Sequence, residues 1–82
     1  MFYRIKELRE DKDIKQKDIA KILSVSRSNY ANYESGTRRV PAEYLCQLAD
    51  FYGVSVDYLL YRTDENKPYP KSRKLEKLKK LE

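Results

Sequence analysis

From Gln16 to Pro41 the chain reads QKDIAKILSVSRSNYANYESGTRRVP, and this stretch constrains the fold more than any other. Apolar residues recur at helical spacing twice, first as Ile19, Ala20, Ile22 and Leu23, then as Tyr30 and Tyr33. Ser24-Val25-Ser26 breaks the pattern between them. The first of these helices is expected over Gln16 to Leu23, with Asp18 in its first turn, where the helix dipole favours an anion. Ser26 is a suitable N-cap for the second, Arg27 to about Glu34, because its hydroxyl can accept from the amide of Asn29. Ser35-Gly36 ends that helix, and glycine takes a positive φ there at low cost. Thr37 to Val40 form a loop, and Pro41 suits the first turn of the next helix, where its missing N–H costs nothing.

The flanks read as helical too. Phe2, Ile5, Leu8 and Arg9 share a face of a helix that ends near Lys12. After Pro41, Leu45, Leu48, Ala49 and Tyr52 line one face up to Gly53. Ser55 caps a last helix from Val56 to about Tyr61 with Val56, Leu59 and Leu60 apolar. No strand pattern is visible. The fold expected is all-α, a compact domain of five helices over residues 1–61. Residues 62–82 are expected to be a basic linker and tail, interrupted by Pro68 and Pro70, either disordered or forming a short helix with Leu75, Leu78 and Leu81 along it. Eighty-two residues allow one domain, near the lower end of what folds without disulfides or metal.

Composition narrows the function. The single cysteine, Cys46, excludes an internal disulfide and a structural zinc site, and is expected to be a small buried hydrophobe. The absence of histidine removes the usual acid–base catalyst and the commonest metal ligand, so neither an enzyme, a metal site nor a cofactor is expected. No apolar run reaches membrane-spanning length, and the charged start MFYRIKELRED does not read as a signal peptide; a cytoplasmic protein is expected. The net charge of +5 divides as +2 over residues 1–34, −1 over 35–60 and +4 over 61–82. Most of the excess lies in the tail, so global charge says little about partners.

Two short helices around a tight turn inside a helical domain form a helix-turn-helix arrangement. Ala20 supplies the small residue needed where the helices cross, Val25 an apolar anchor for the turn, and Tyr30 and Tyr33 the inward stripe of the second helix. Arg27, Ser28, Ala31 and Asn32 leave its other side mostly polar. Arg27 can give a bidentate fork to O6 and N7 of guanine, Asn32 can pair with N6 and N7 of adenine, and Ser28 can donate or accept. Lys15, Lys17, Arg38 and Arg39 are placed to neutralise phosphates, which gives affinity and salt dependence rather than sequence choice.

Leu8-Arg9, Gln16, Ile19-Ala20, Val25-Ser26, Tyr33-Glu34-Ser35-Gly36, Pro41, Leu48-Ala49 and the run Gly53-Val54-Ser55-Val56-Asp57-Tyr58-Leu59-Leu60 carry a resemblance over roughly residues 2–61. With them the chain resembles the phage-repressor and Cro-type helix-turn-helix proteins, also called the xenobiotic-response-element family. The resemblance implies a lambda-repressor-like domain that binds a palindromic double-stranded operator as a homodimer, in bacteria or their phages, and regulates transcription, commonly as a repressor. It implies that the residue at Gln16 donates to a phosphate and braces the reading helix, and that Arg27, Ser28 and Asn32 reach base edges. The loop Ser35 to Arg39, with Thr37 and Arg38, is then expected along the DNA backbone, and Arg9 and Glu34 as a partly buried salt bridge. Tyr58, Leu60 and Tyr61 are candidates for a dimer interface.

Three positions depart from the family pattern. Ser24 stands where glycine is usual, so a positive φ there carries strain. Lys15 stands where Ser or Thr usually caps the second helix. Tyr30 stands at an inward position that is usually aliphatic, and its hydroxyl needs a partner or an exit to solvent. The alternative to operator binding is an interaction module, such as an antitoxin, whose tail holds a protein partner; deleting residues 62–82 discriminates the two.

Overall fold

The computed structural model describes residues 3–70 and 72–74. Among the described residues through residue 61, the chain forms five helices: α1 (Ile5–Asp11), α2 (Gln16–Leu23), α3 (Arg27–Ser35), α4 (Ala42–Tyr52) and α5 (Val56–Leu59). No strand occurs among the described residues. Phe2 and the leucines of the tail, Leu75, Leu78 and Leu81, lie outside them.

The helix ends follow from side chains near them. The Ser26 hydroxyl accepts from the amide of Asn29 at 3.1 Å, and the Ser55 hydroxyl from the amide of Tyr58 at 3.0 Å. Each satisfies a donor that a helix N-terminus leaves without an intrahelical partner. Lys15 caps α2 without a side-chain bond. Gly36 and Gly53 close α3 and α4 with φ of 79° and 67°, a region open to glycine without a Cβ penalty. Ser24 makes the same turn after α2 at φ 58°, so a non-glycine residue carries the left-handed cost there. Pro41 precedes α4 as its N-cap rather than standing in its first turn. The last helix is shorter than its sequence pattern suggests, because Leu60 leaves the helix and Tyr61 turns left-handed at φ 61°.

Five side chains are almost wholly sealed from solvent, Ile5, Ile19, Tyr30, Leu48 and Leu59. Each comes from a different helix. Around them pack Leu23, Tyr33, Leu45, Ala49 and Tyr52, and Ala20 is buried on the inner side of α2, the helix that packs most extensively against α3. Two departures from the sequence pattern are both single-residue phase errors. Ile22 is 43% exposed, since the inward face of α2 runs through Ile19, Ala20 and Leu23. Cys46, expected in the core, is exposed: α4 turns Leu45, Leu48, Ala49 and Tyr52 inward, and one residue beyond Leu45 is about 100° of helix rotation towards solvent.

Tyr3, Arg4 and the segment after α5 are tied to this core. The amide of Arg4 donates to the carbonyl of Leu59 at 2.8 Å, and the amide of Val40 to the Tyr3 hydroxyl at 3.0 Å. The Arg4 guanidinium lies between the rings of Tyr58 and Tyr61, 4.1 and 4.2 Å from their centroids, and donates to the carbonyls of Tyr58 and Thr63. Beyond α5, the Tyr69 hydroxyl donates to the Asp57 carboxylate at 3.0 Å, so the chain at Tyr69 lies back against the body of the fold.

Candidate nucleic-acid interface

The packing of α2 against α3 sets which side of α3 is free. Ala20 is 3% exposed beneath the turn, and half-buried Val25 wedges the turn against the core. Tyr30 and Tyr33 point inward with their rings edge to face, centroids 6.4 Å apart. Arg27 and Ser28 are therefore left exposed at the start of α3, with Asn32 half-buried one turn later. Arg27 and Ser28 share one concave surface with Gln16 and Ala31. A second joins Arg27 to Arg9, Lys15, Gln16 and Lys17 around the start of α2. The candidate contacts of the two helices thus form one continuous polar and basic edge.

Beneath this edge sits a polar clamp. Arg9 donates to Glu34 through Nε at 2.6 Å and Nη2 at 3.0 Å, and its Nη1 donates to the carbonyl of Ile14 at 2.8 Å. The Gln16 amide nitrogen donates to the same carboxylate at 3.1 Å. Side-chain exposure is 13% for Arg9 and 3% for Glu34. Burial by itself pushes the Glu34 carboxyl up, but the bonds from Arg9 and Gln16 and the nearby Tyr30 outweigh it and hold its pKa below the ordinary value. The bond to Glu34 likewise holds the Arg9 guanidinium above its own. Gln16 is an amide with two N–H donors, so one faces Glu34 while the other remains for an outside acceptor.

The Tyr30 hydroxyl is buried near Glu34 and interacts with its carboxylate electrostatically. Burial, with the neighbouring carboxylate, pushes its pKa far up. Burial also pushes the Tyr52 hydroxyl up, to about 12. Both hydroxyls are the residue of placing tyrosine where an aliphatic side chain has no such need.

The loop after α3 is held together internally. The Ser35 hydroxyl donates to the Asn32 carbonyl at 3.2 Å and lies 2.8 Å from the Thr37 hydroxyl, while the amide of Arg38 donates to the same carbonyl at 3.1 Å. Ser35 and Thr37 thus shape the loop, and Arg39 stands exposed on it. Arg38 does not project from the loop. Its Nη1 donates to the side-chain amide oxygen Oδ1 of Asn29 at 2.8 Å, which lays the side chain back along α3. Asn29 stands in the polar opening of α3 beside Arg27 and Ser28, and its bond to Arg38, nine residues away, leaves no local signal in the sequence. Tyr58, Leu60 and Tyr61 lie on α5 and the turn after it, where Tyr58 and Tyr61 hold Arg4 and the Tyr61 hydroxyl donates to Glu7 at 2.8 Å. Among the described residues no cluster of His, Cys, Asp or Glu could hold a metal ion, and no helix is long and apolar enough to cross a membrane.

Comparison with known proteins agrees with this architecture. Residues 5–59 match the model of a helix-turn-helix family. The HTH-type transcriptional regulator AnsR of Bacillus subtilis is 38% identical over 72 residues, covering 88% of this chain and 62% of that protein. The cryptic phage CTXphi transcriptional repressor RstR of Vibrio cholerae is 33% identical over 63 residues, 77% of this chain and 57% of its own length. The HTH-type transcriptional regulator ImmR of Bacillus subtilis is 36% identical over 64 residues, covering 78% of this chain and 50% of that protein. The chain therefore spans half to three-fifths of the length of these curated relatives. A solved structure of a transcriptional regulator from Listeria innocua shares the fold, with a TM-score of 0.65, 20% identity, and coverage of 95% of this chain and 74% of that one. The motif of α2 and α3, the clamp beneath it and the family match over residues 5–59 agree: the chain belongs to the phage-repressor and Cro-type helix-turn-helix family.

Proposed function

We propose that the chain binds double-stranded DNA as a transcriptional regulator, a repressor, with α3 in the major groove. The observation that carries this is the division of α3: Tyr30 and Tyr33 are packed away, while Arg27, Ser28 and Asn32 lie on the side left open beside Lys15, Gln16 and Lys17. In this reading Arg27 and Asn32 make bidentate base contacts and Ser28 a less selective one. Lys15, Gln16, Lys17 and Arg39 contact phosphates, with Ser35 and Thr37 presenting the loop to the backbone. Gln16 then links a phosphate to Glu34 and Arg9, so that correct seating on the backbone is felt at both ends of the clamp. Relatives named as transcriptional regulators and as a phage repressor support the same reading.

The operator is a palindrome read by a homodimer, with half-sites about 34 Å apart on one face of the duplex. The dimer forms at α5 and its flanks, through Leu60 and the outer faces of Tyr58 and Tyr61; Leu60 is half-buried and Tyr61 is 45% exposed. Residues 1–61 are the DNA-binding unit, acting without a cofactor and without catalysis. Selection of bound duplexes from a random library tests the whole reading. Enrichment of a two-fold symmetric site with half-sites one helical turn apart is expected, and recovery of unenriched duplexes would exclude it.

A further inference from the structure

We propose that Arg38 is a base-reading side chain held in place by Asn29, and not one of the phosphate contacts of the loop. The proposal rests on the DNA-reading function above and adds a fourth member to the reading surface. Two bonds fix Arg38 at its two ends. Its backbone amide donates to the Asn32 carbonyl at 3.1 Å, and its Nη1 donates to Asn29 Oδ1 at 2.8 Å. The side chain therefore runs back along α3 from its last turn to its first.

The orientation of Asn29 is determined by chemistry. A guanidinium only donates, so the amide oxygen must face Arg38 and the amide nitrogen must face the other way. That nitrogen meets the hydroxyl of Tyr33 at 3.3 Å, and Tyr33 is 4% exposed, anchored in the core. Arg38 is thus referenced through Asn29 to a buried ring. Its guanidinium enters the concavity formed by Ser26, Ser28, Asn29 and Asn32, beside two of the proposed base contacts. One of its five N–H donors is used by Asn29, which leaves donors free for the O6 and N7 edge of a guanine. Holding the arginine in place beforehand reduces the side-chain entropy lost on binding. Arg38 and Arg39 are both exposed, and what distinguishes Arg38 is the bond that ties its guanidinium to Asn29.

The test uses the full chain and the duplex that the wild type selects, together with single-base-pair variants of it and random DNA, at several salt concentrations. Arg38→Ala and Arg38→Lys are both expected to relax the preference at one base pair by about tenfold or more, since lysine keeps the charge but not the planar fork. Asn29→Ala is expected to relax the same base pair, and to add nothing when combined with Arg38→Ala. Circular dichroism melting confirms that each variant is folded, and Arg38→Lys carries the result if Asn29→Ala is not. Equal weakening on selected and random DNA, with Arg38→Lys near wild type and the salt slope reduced by about one in Arg38→Ala, identifies a phosphate contact and overturns the proposal. A full additional loss from Asn29→Ala in the Arg38→Ala background overturns the positioning role. A wild type that enriches no duplex removes the underlying function, whereas a wild type whose motif is read equally well by Arg38→Ala removes this inference alone.

Discussion

Arg9 and Glu34 meet in two parallel hydrogen bonds of 2.6 and 3.0 Å, so the first helix grips the last turn of the third from beneath. Neither charge has much access to water, and the two depend on each other. Removing Arg9 leaves a carboxylate buried with only Gln16 and Tyr30 near it. Arg9→Ala is expected to destabilise the fold by about 3–5 kcal/mol, most of what a domain this small has to lose. Arg9→Ala with Glu34→Gln is expected to be less damaging than Arg9→Ala alone, because no uncompensated charge remains. Urea unfolding of the variants measures both, and additive losses would refute the coupling.

The same pair gives the stability a pH dependence with a defined sign. The Glu34 carboxyl titrates lower in the folded chain than its ordinary value of 4.5. The unfolded chain therefore binds a proton more readily than the folded one. Its stabilising contribution is complete above that ordinary value and is lost as pH falls through the lower, folded one. Glu34→Gln is expected to flatten this acid limb while lowering stability at neutral pH. Thermal melting across the acid range checks the prediction.

Ser24 carries a backbone cost that its side chain does not repay in any bond described for the turn. At φ 58° and ψ 41° it closes α2 in the left-handed region. Ser24→Gly removes the Cβ conflict and gives the unfolded chain some extra freedom in return. A net gain of up to about 1 kcal/mol is expected. A fall in melting temperature would show that the turn is relaxed as it stands.

Specific and non-specific binding separate Arg27 from Lys17. Arg27→Ala is expected to cost about 1–3 kcal/mol on the selected duplex and much less on random DNA. Lys17→Ala is expected to weaken both alike and to reduce the salt slope by about one. Titrations of both duplexes at several salt concentrations distinguish the roles, and equal losses for Arg27→Ala on both would remove it from base readout.

Locally determined features were open to reading in the sequence. Ser26 and Ser55 cap the helices that follow them, and Gly36 and Gly53 close the ones before, because each acts on amides or torsions within a few residues. Tyr30 and Tyr33 were legible as the inward stripe of α3 from helical spacing, and Ala20 and Val25 from what a helix crossing and a tight turn require. Cys46 and Ile22 were not, since apolar character does not say which of two adjacent residues a helix turns inward. Least visible were contacts that depend on the completed fold. Arg4 reaches Tyr58 across 54 residues of sequence, and Arg38 reaches Asn29 around a loop. Arg4 carries no local signal and Arg38 reads only as a phosphate contact of the loop; the path of the chain gives both their partners within the fold.

Because Ile5, Ile19, Tyr30, Leu48 and Leu59 meet in one interior, one from each helix, no subset of the helices has a finished core of its own. The helix-turn-helix is therefore not a portable peptide. Cutting the chain before α5, or loosening α1, takes Leu59 or Ile5 out of that interior and is expected to weaken the support of the third helix. A chain with one shared interior is expected to gain or lose its outer surface as a unit, in a single cooperative step. A weakened variant then presents a smaller fraction of competent molecules rather than a whole population with a blurred preference, and its apparent affinity falls while the sequence it favours stays the same.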